Sequence, residues 1–209
     1  GPFFQSGGTI NDGSGTISVS GFTEKTGGTL TLDSGNFKLN GSDFEQNVNF
    51  GQVQAFNKLI INNTNNTLHL LDYGVTATDL EVKAGAKAEF AVGSVTTVTN
   101  FTVSGTSANY ATLGSINAGE SWSLTVSGTQ SVNYLKVSDS DASDGDLITA
   151  SNSVDLSNNI NWEFGGTSDI IITISPDRKP FKADLDVSMS FTLAGTDGSG
   201  VTLYYTMDG

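Results

Sequence analysis

The stretch GGTINDGSGTISVSG (residues 7–21) recurs as GGTLTLDSGNFKLNG (residues 27–41). Gly7, Gly8, Thr9, Ser14, Gly15 and Gly21 reappear unchanged as Gly27, Gly28, Thr29, Ser34, Gly35 and Gly41. The apolar positions pair conservatively: Ile10 with Leu30, Ile17 with Phe37, Val19 with Leu39. Self-similarity at such a fixed period marks stacked units, each unable to bury its apolar face alone.

The apolar–x–apolar end of the motif continues along the chain at near-constant spacing. It occurs at Ile17/Val19, Phe37/Leu39, Leu59/Ile61, Leu80/Val82, Phe101/Val103, Leu124/Val126 and Ile148/Ala150. A second ladder lies about half a period away, clearest at Leu30/Leu32, Val48/Phe50, Leu68/Leu70, Phe90/Val92 and Leu135/Val137. Alternation within each run predicts strands with one buried face. No Pro occurs between Pro2 and Pro176, so Gly and Asn make the breaks, as turns with positive φ require. The pattern predicts an all-β chain: a right-handed parallel β-helix (a solenoid) of about seven to eight coils over residues 3–165. Ile17, Phe37, Leu59, Leu80, Phe101 and Leu124 would stack in one buried column. An antiparallel β-sandwich also gives many short strands, but has no reason to repeat a motif at a fixed period.

Composition narrows the function classes. The 209 residues include 25 Gly and no Cys, with 36% hydrophobic and only 15% charged, which is not the low-hydrophobicity, high-charge signature of disorder. The formal charge of −13 lacks the Lys/Arg clusters that a phosphate backbone demands, so nucleic acid is not an expected partner. No apolar run reaches the roughly 18 residues of a spanning helix, so membrane insertion is not expected either. A chain of this size can dispense with disulfides because its core is large enough. Gly1-Pro2 reads as a cleavage remnant, with any leader upstream of it.

The tail differs in kind. Arg178, Met189, Met207, Pro176 and Pro180 all follow residue 175, after a linker-like Gly165-Gly166-Thr167-Ser168. Residues 169–175, 185–193 and 201–206 read as three strands, too few to close a sandwich core. The expected division is a β-helix domain over 3–165 and the N-terminal part of a truncated Ig-like β-sandwich over 166–209.

VSGTQSVNYLKVSDSDASDGDLITASNSVDLSNNINWEF (residues 126–164) resembles the closing coils of long bacterial surface proteins with parallel β-helix repeats, and GGT…GSGT…VSG with FNKLIINNT (residues 56–64) resembles their ordinary repeats. The tail ITISPDRKPFKADLDVSMSF…VTLYYTMDG is similar to the chitobiase/hexosaminidase C-terminal type of Ig-like module. The resemblance implies an extracellular, adhesin-like bacterial protein and no catalytic residues.

Few residues invite chemistry. His69 is the only histidine, turned outward by alternation between Leu68 and Leu70. The coil region holds six Lys and no Arg, which leaves a polysaccharide-cleaving enzyme without its usual parts. The acidic run Asp139, Asp141, Asp144 and Asp146 around Gly145 could supply oxygens to a weak calcium site, although it misses the EF-hand spacing; the alternative is a solvated acidic turn. Trp122 falls in phase with Leu124 and Val126 and is expected in the core or as a coil cap, and Trp162 is expected over the last coil. Tyr110 and Tyr134 suit stacking on sugars. The Asn-x-Thr tripeptides at Asn62, Asn65 and Asn100 are what chance gives in a chain this rich in Asn and Thr. The expected function is a non-catalytic stalk or display segment at the bacterial cell surface. Its expected partners are a surface glycan or protein receptor and neighbouring domains of the same chain. A carbohydrate-binding module is the alternative.

Overall fold

The computed structural model describes residues 1–41, 45–65, 67–70 and 74–165. The second-domain reading of residues 166–209 therefore lies outside the described residues. Within them every secondary-structure element is a strand, and no helix is long and apolar enough to cross a membrane.

Every laddered strand pair is parallel, which rules out the antiparallel sandwich. The chain winds as a β-solenoid of about seven turns. Its coils contribute to an eight-stranded sheet, a ten-stranded sheet and a two-stranded third sheet. In the ten-stranded sheet Ile17, Phe37, Leu59, Leu80 and Phe101 stand in register, as their near-constant spacing foretold. Beside them Val19, Leu39, Ile61, Val82, Val103, Val132, Ala150 and Phe164 form a second column. The eight-stranded sheet brings Val48, Leu70 and Phe90 together in the same way.

Three rungs sit elsewhere than the spacing predicts. Leu124 and Val126 do not follow Phe101 and Val103; they lie on Thr96 and Val98. The strand Val95–Ser104 is long enough for two later strands, Trp122–Val126 and Gln130–Asn133, to stand on its two halves. Between those two the chain turns at Gly128, whose missing Cβ leaves room for the Thr99 carbonyl. Asn100 Oδ1 accepts there from both Thr129 N (3.1 Å) and Thr129 Oγ1 (2.7 Å). Leu30 belongs to the two-stranded third sheet, over Ile10. Val92 is 45% exposed, because the chain turns at Gly93 (φ 68°) soon after the buried Phe90.

The coils also change shape along the axis. Phe3, Thr23, Val48, Leu70 and Phe90 are stacked in the first sheet, and Thr16, Asn36, Lys58, Asp79 and Asn100 are stacked in the second. The paths Phe3–Thr16 and Thr23–Asn36 of the first two coils are longer than the equivalent paths Val48–Lys58, Leu70–Asp79 and Phe90–Asn100 of the next three. The corner leading into each path compensates: Val19 to Thr23, ahead of the long path Thr23–Asn36, is short, while Leu39 to Val48 and Ile61 to Leu70, ahead of the shorter paths, take about twice the chain. The first two coils thus have room for a separate third side, Thr9–Asn11 under Thr29–Thr31. From the third coil on, that side is drawn into long strands, Gln54–Ile61, Val75–Lys83 and Val95–Ser104. Phe3, Phe37, Phe50 and Phe56 fill the interior at the change, with ring centroids 5.5–5.9 Å apart along the chain of contacts. Three of these four contacts are edge-to-face and the Phe37–Phe56 pair is tilted, and such pairs add to the stabilisation from the area they bury.

Candidate functional site

The change of shape leaves the second and third coils apart on one side. Their ladder runs through Thr23↔Val48 and Glu24↔Asn49, lapses, and resumes at Asn36↔Lys58. Side chains help hold the gap together. Gln54 Nε2 donates to the Leu30 carbonyl (3.2 Å), Asn57 N donates to the Leu32 carbonyl, and Asn57 Nδ2 reaches Gly35 O (3.3 Å).

Two openings result. One, of about 270 Å³, lies between residues 30–33 and 54–57. The larger, of about 550 Å³, lies between residues 24–28 and 49–52. Its floor is set by backbone. Gly28 has φ 76°, and a Cβ there would strike the carbonyls of Gly7 and Gly8 in the coil below, so the Gly-Gly of the repeat is a condition of close stacking. Gly51 also has positive φ (68°), and its N–H is held by Asn49 Oδ1 at 2.8 Å.

Lys25 is the unusual residue of this cleft. It occupies an inward slot of the strand Thr23–Lys25 and is only 8% exposed, over Gln5 of the first coil. Among the described residues no hydrogen bond or ion pair engages its ammonium. Gln5 below it gives its Nε2 to Thr29 O (2.9 Å), while its own Oε1 is buried without a partner. The sequence signal was available: Thr23-Glu24-Lys25 falls one repeat after Phe3-Phe4-Gln5, a polar residue at an inward position twice over.

The acidic run is dispersed by the fold. Asp139 (5% exposed, φ 57°) is used inside the structure, accepting from Gly119 N (3.1 Å) and Asn158 Nδ2 (2.9 Å). Asp141 accepts from Ser143 Oγ (2.6 Å) and Ser143 N (3.0 Å), and these bonds hold its carboxyl below the usual range. Asp144 and Asp146 are exposed. Among the described residues no three His, Cys, Asp or Glu side chains gather where they could hold a metal ion.

The aromatics divide into core and surface. Trp122 is fully buried, stacked on Phe90 at 3.9 Å, with its Nε1 donating to Ser138 O (3.1 Å). Trp162 is half-buried over the last coils, edge-on to Phe101 and donating to Ser140 Oγ (3.2 Å). The Asn-rich closing coil works with it. Asn159 Nδ2 donates to Val137 O (2.9 Å) and Asn161 Nδ2 to Ala142 O (2.9 Å), with the backbone turning at positive φ at Asn158 and Asn161. Tyr110 and Tyr134 meet edge to face at 5.5 Å, half-buried, with Lys136 Nζ 5.1 Å from the Tyr110 ring centre. His69 lies on the outer side of the eight-stranded sheet, 3.2 Å from Glu89 across the ladder.

Compared with family models, curated proteins and solved structures, the chain finds no match. Function therefore rests on this geometry.

Proposed function

We propose that the chain is a non-catalytic structural and adhesive segment of a bacterial extracellular or cell-surface protein, a stalk that also displays a face. The observation that supports this is the succession of parallel ladders joining coil to coil from Phe3 to Gly165, with one hydrophobic core along it. Each coil is held by its two neighbours, so load along the axis is shared among many backbone hydrogen bonds, and the acidic surface keeps such a rod soluble. The resemblance of residues 126–164 to closing coils of surface proteins agrees with their structural work here, where Asn amides complete the final turn. Pulling single molecules by their two ends tests the reading. A stalk gives a series of steps at high force, each releasing one or a few coils; one low-force event that unravels everything would remove the support for it.

A carbohydrate-binding module is the second reading, and the Tyr110–Tyr134 pair favours it, because half-exposed tyrosines suit the apolar faces of sugars. Glycan-array binding by the chain, lost in Tyr110→Ala, would raise this reading above the first.

A further inference from the structure

We infer that the outer face of the first coil is a docking surface for one further β-coil of the same repeat, lying parallel to it. Gly7 and Gly15 point to this, because nothing within the chain requires glycine at either place. Their counterparts in the second coil are fixed by stacking: a Cβ on Gly27 would strike the Ser6 carbonyl, and one on Gly35 the Gly15 carbonyl. One coil earlier, a Cβ on Gly7 meets nothing, and one on Gly15 meets only the Asp12 carbonyl of its own turn, at 3.7 Å. Neither has positive φ, so no turn demands glycine there. What is missing beneath them is the carbonyl of another coil.

The backbone at this end is open in the same way. Phe3–Gln5, Thr9–Asn11 and Thr16–Val19 are each the terminal strand of their sheet. Asn36 N donates to Gly15 O and Thr29 N to Gly8 O, both at 2.8 Å. Thr16 and Thr9 stand in register with Asn36 and Thr29, so their amides point out of the stack. Exposed edges are commonly blunted by charge or proline, and these three strands contain neither. At the opposite end the edge strands Val154–Asp155 and Trp162–Gly165 carry Asp155 and Glu163. Ile10 and Ile17 are only half-buried at the open face, whereas Leu30 and Phe37 above them are buried.

The occupant is a coil of this repeat rather than a second copy of this chain. A copy docked first coil to first coil about a two-fold axis runs antiparallel, so its carbonyls do not come to lie over Gly7 and Gly15. A copy docked by its last coil brings Asp155 and Glu163 to the contact. The chain also enters this face in step with the coil above, since Gly1 O accepts from Ser20 N (3.2 Å) and Gly21 N (3.1 Å). The surface rests on the fold and not on the stalk reading, so failure of the pulling experiment leaves it untouched.

The test fuses a second copy of residues 1–20 ahead of Gly1 in the full chain, then compares amide exchange and denaturant unfolding with and without it. The amides of Thr9 and Thr16 are expected to exchange at least about 100-fold slower in the extended chain, with Leu80 as the unchanged reference. Gly7→Ala and Gly15→Ala should not lower the unfolding midpoint of the unextended chain. In the extended chain both should lower it, as Gly27→Ala and Gly35→Ala do in either. Unslowed exchange at Thr9 and Thr16, with Leu80 still protected, would overturn the surface. Alanine tolerated equally at Gly7 and Gly15 in both chains would overturn the stacking role of the glycines. Protection of Thr9 and Thr16 that rises with concentration of the unextended chain would make a second copy the occupant and overturn the repeat coil.

Discussion

The first two coils and the three that follow use nearly the same length of chain per turn and build different cross-sections. Between the first two, a short corner from Val19 to Thr23 leaves more chain for the opposite side, which folds into its own two-stranded sheet. In the next three the corner lengthens and the opposite side straightens into the strands Gln54–Ile61, Val75–Lys83 and Val95–Ser104. The perimeter is conserved while the corners move. A solenoid coil can therefore keep its period and still change its outline, and the change itself makes a cleft.

The largest expected difference between the two regions is in packing. Leu80 is 1% exposed in the middle of a ladder continuous on both sides, so Leu80→Ala should cost about 3–5 kcal/mol in denaturant unfolding. Ile17 is half-buried at the open end, and Ile17→Ala should cost about half as much. Equal losses would mean that the end coils are as well sealed as the centre.

Glycines within the first two coils sharpen the same contrast at smaller scale. Gly13 and Gly28 both have positive φ (54° and 76°), but only Gly28 lies against backbone. Gly13→Ala should cost about 1 kcal/mol, the conformational term alone. Gly28→Ala should cost at least about 2 kcal/mol, because the added methyl pushes two coils apart. Similar unfolding midpoints for the two variants would mean that the coils yield to the methyl without loss.

Charge distinguishes the middle coils next. Glu81 sits between Lys58 (2.9 Å) and Lys83. Burial on its own raises the Glu81 carboxyl, but hydrogen bonds from Lys83 and Lys58 outweigh it and hold the pKa below the usual value. A carboxyl lowered by folding stabilises the folded state above the ordinary carboxylate range, and that contribution disappears as pH falls through the lowered value. Glu81→Gln should therefore flatten the acid limb of a stability–pH curve by under about 1 kcal/mol, and an unchanged limb would show that the pair contributes nothing. The smallest effect is expected with calcium. Since Asp139 and Asp141 are engaged by the coil itself, Ca²⁺ against a chelator should leave the melting temperature unchanged, and a rise at millimolar Ca²⁺ would restore the metal reading of the acidic turn.

The period and the inward column from Ile17 to Phe101 were legible because a parallel ladder stacks like on like, and each coil repeats its neighbour's alternation. Spacing alone misplaced Leu124 and Val126. An apolar–x–apolar pair announces a buried strand, but not which half of a long strand it rests on; Gly128 and Asn100 decide that through contacts across the coil. Trp122 was readable from its phase with Leu124, whereas its stacking on Phe90 was not. Lys25 escaped because an inward lysine looks like an ordinary outward charge until the register with Gln5 is known.

Amide hydrogen exchange tests the step between coils most directly. The carbonyls of Leu30 and Leu32 face the third coil and meet only Gln54 and Asn57 there, without a ladder, whereas Leu80 and Val82 are paired on both sides. The amides of Leu30 and Leu32 are expected to exchange at least about 100-fold faster than those of Leu80 and Val82. Equal protection would mean that the second and third coils are continuously bonded, and that neither the step nor its cleft exists.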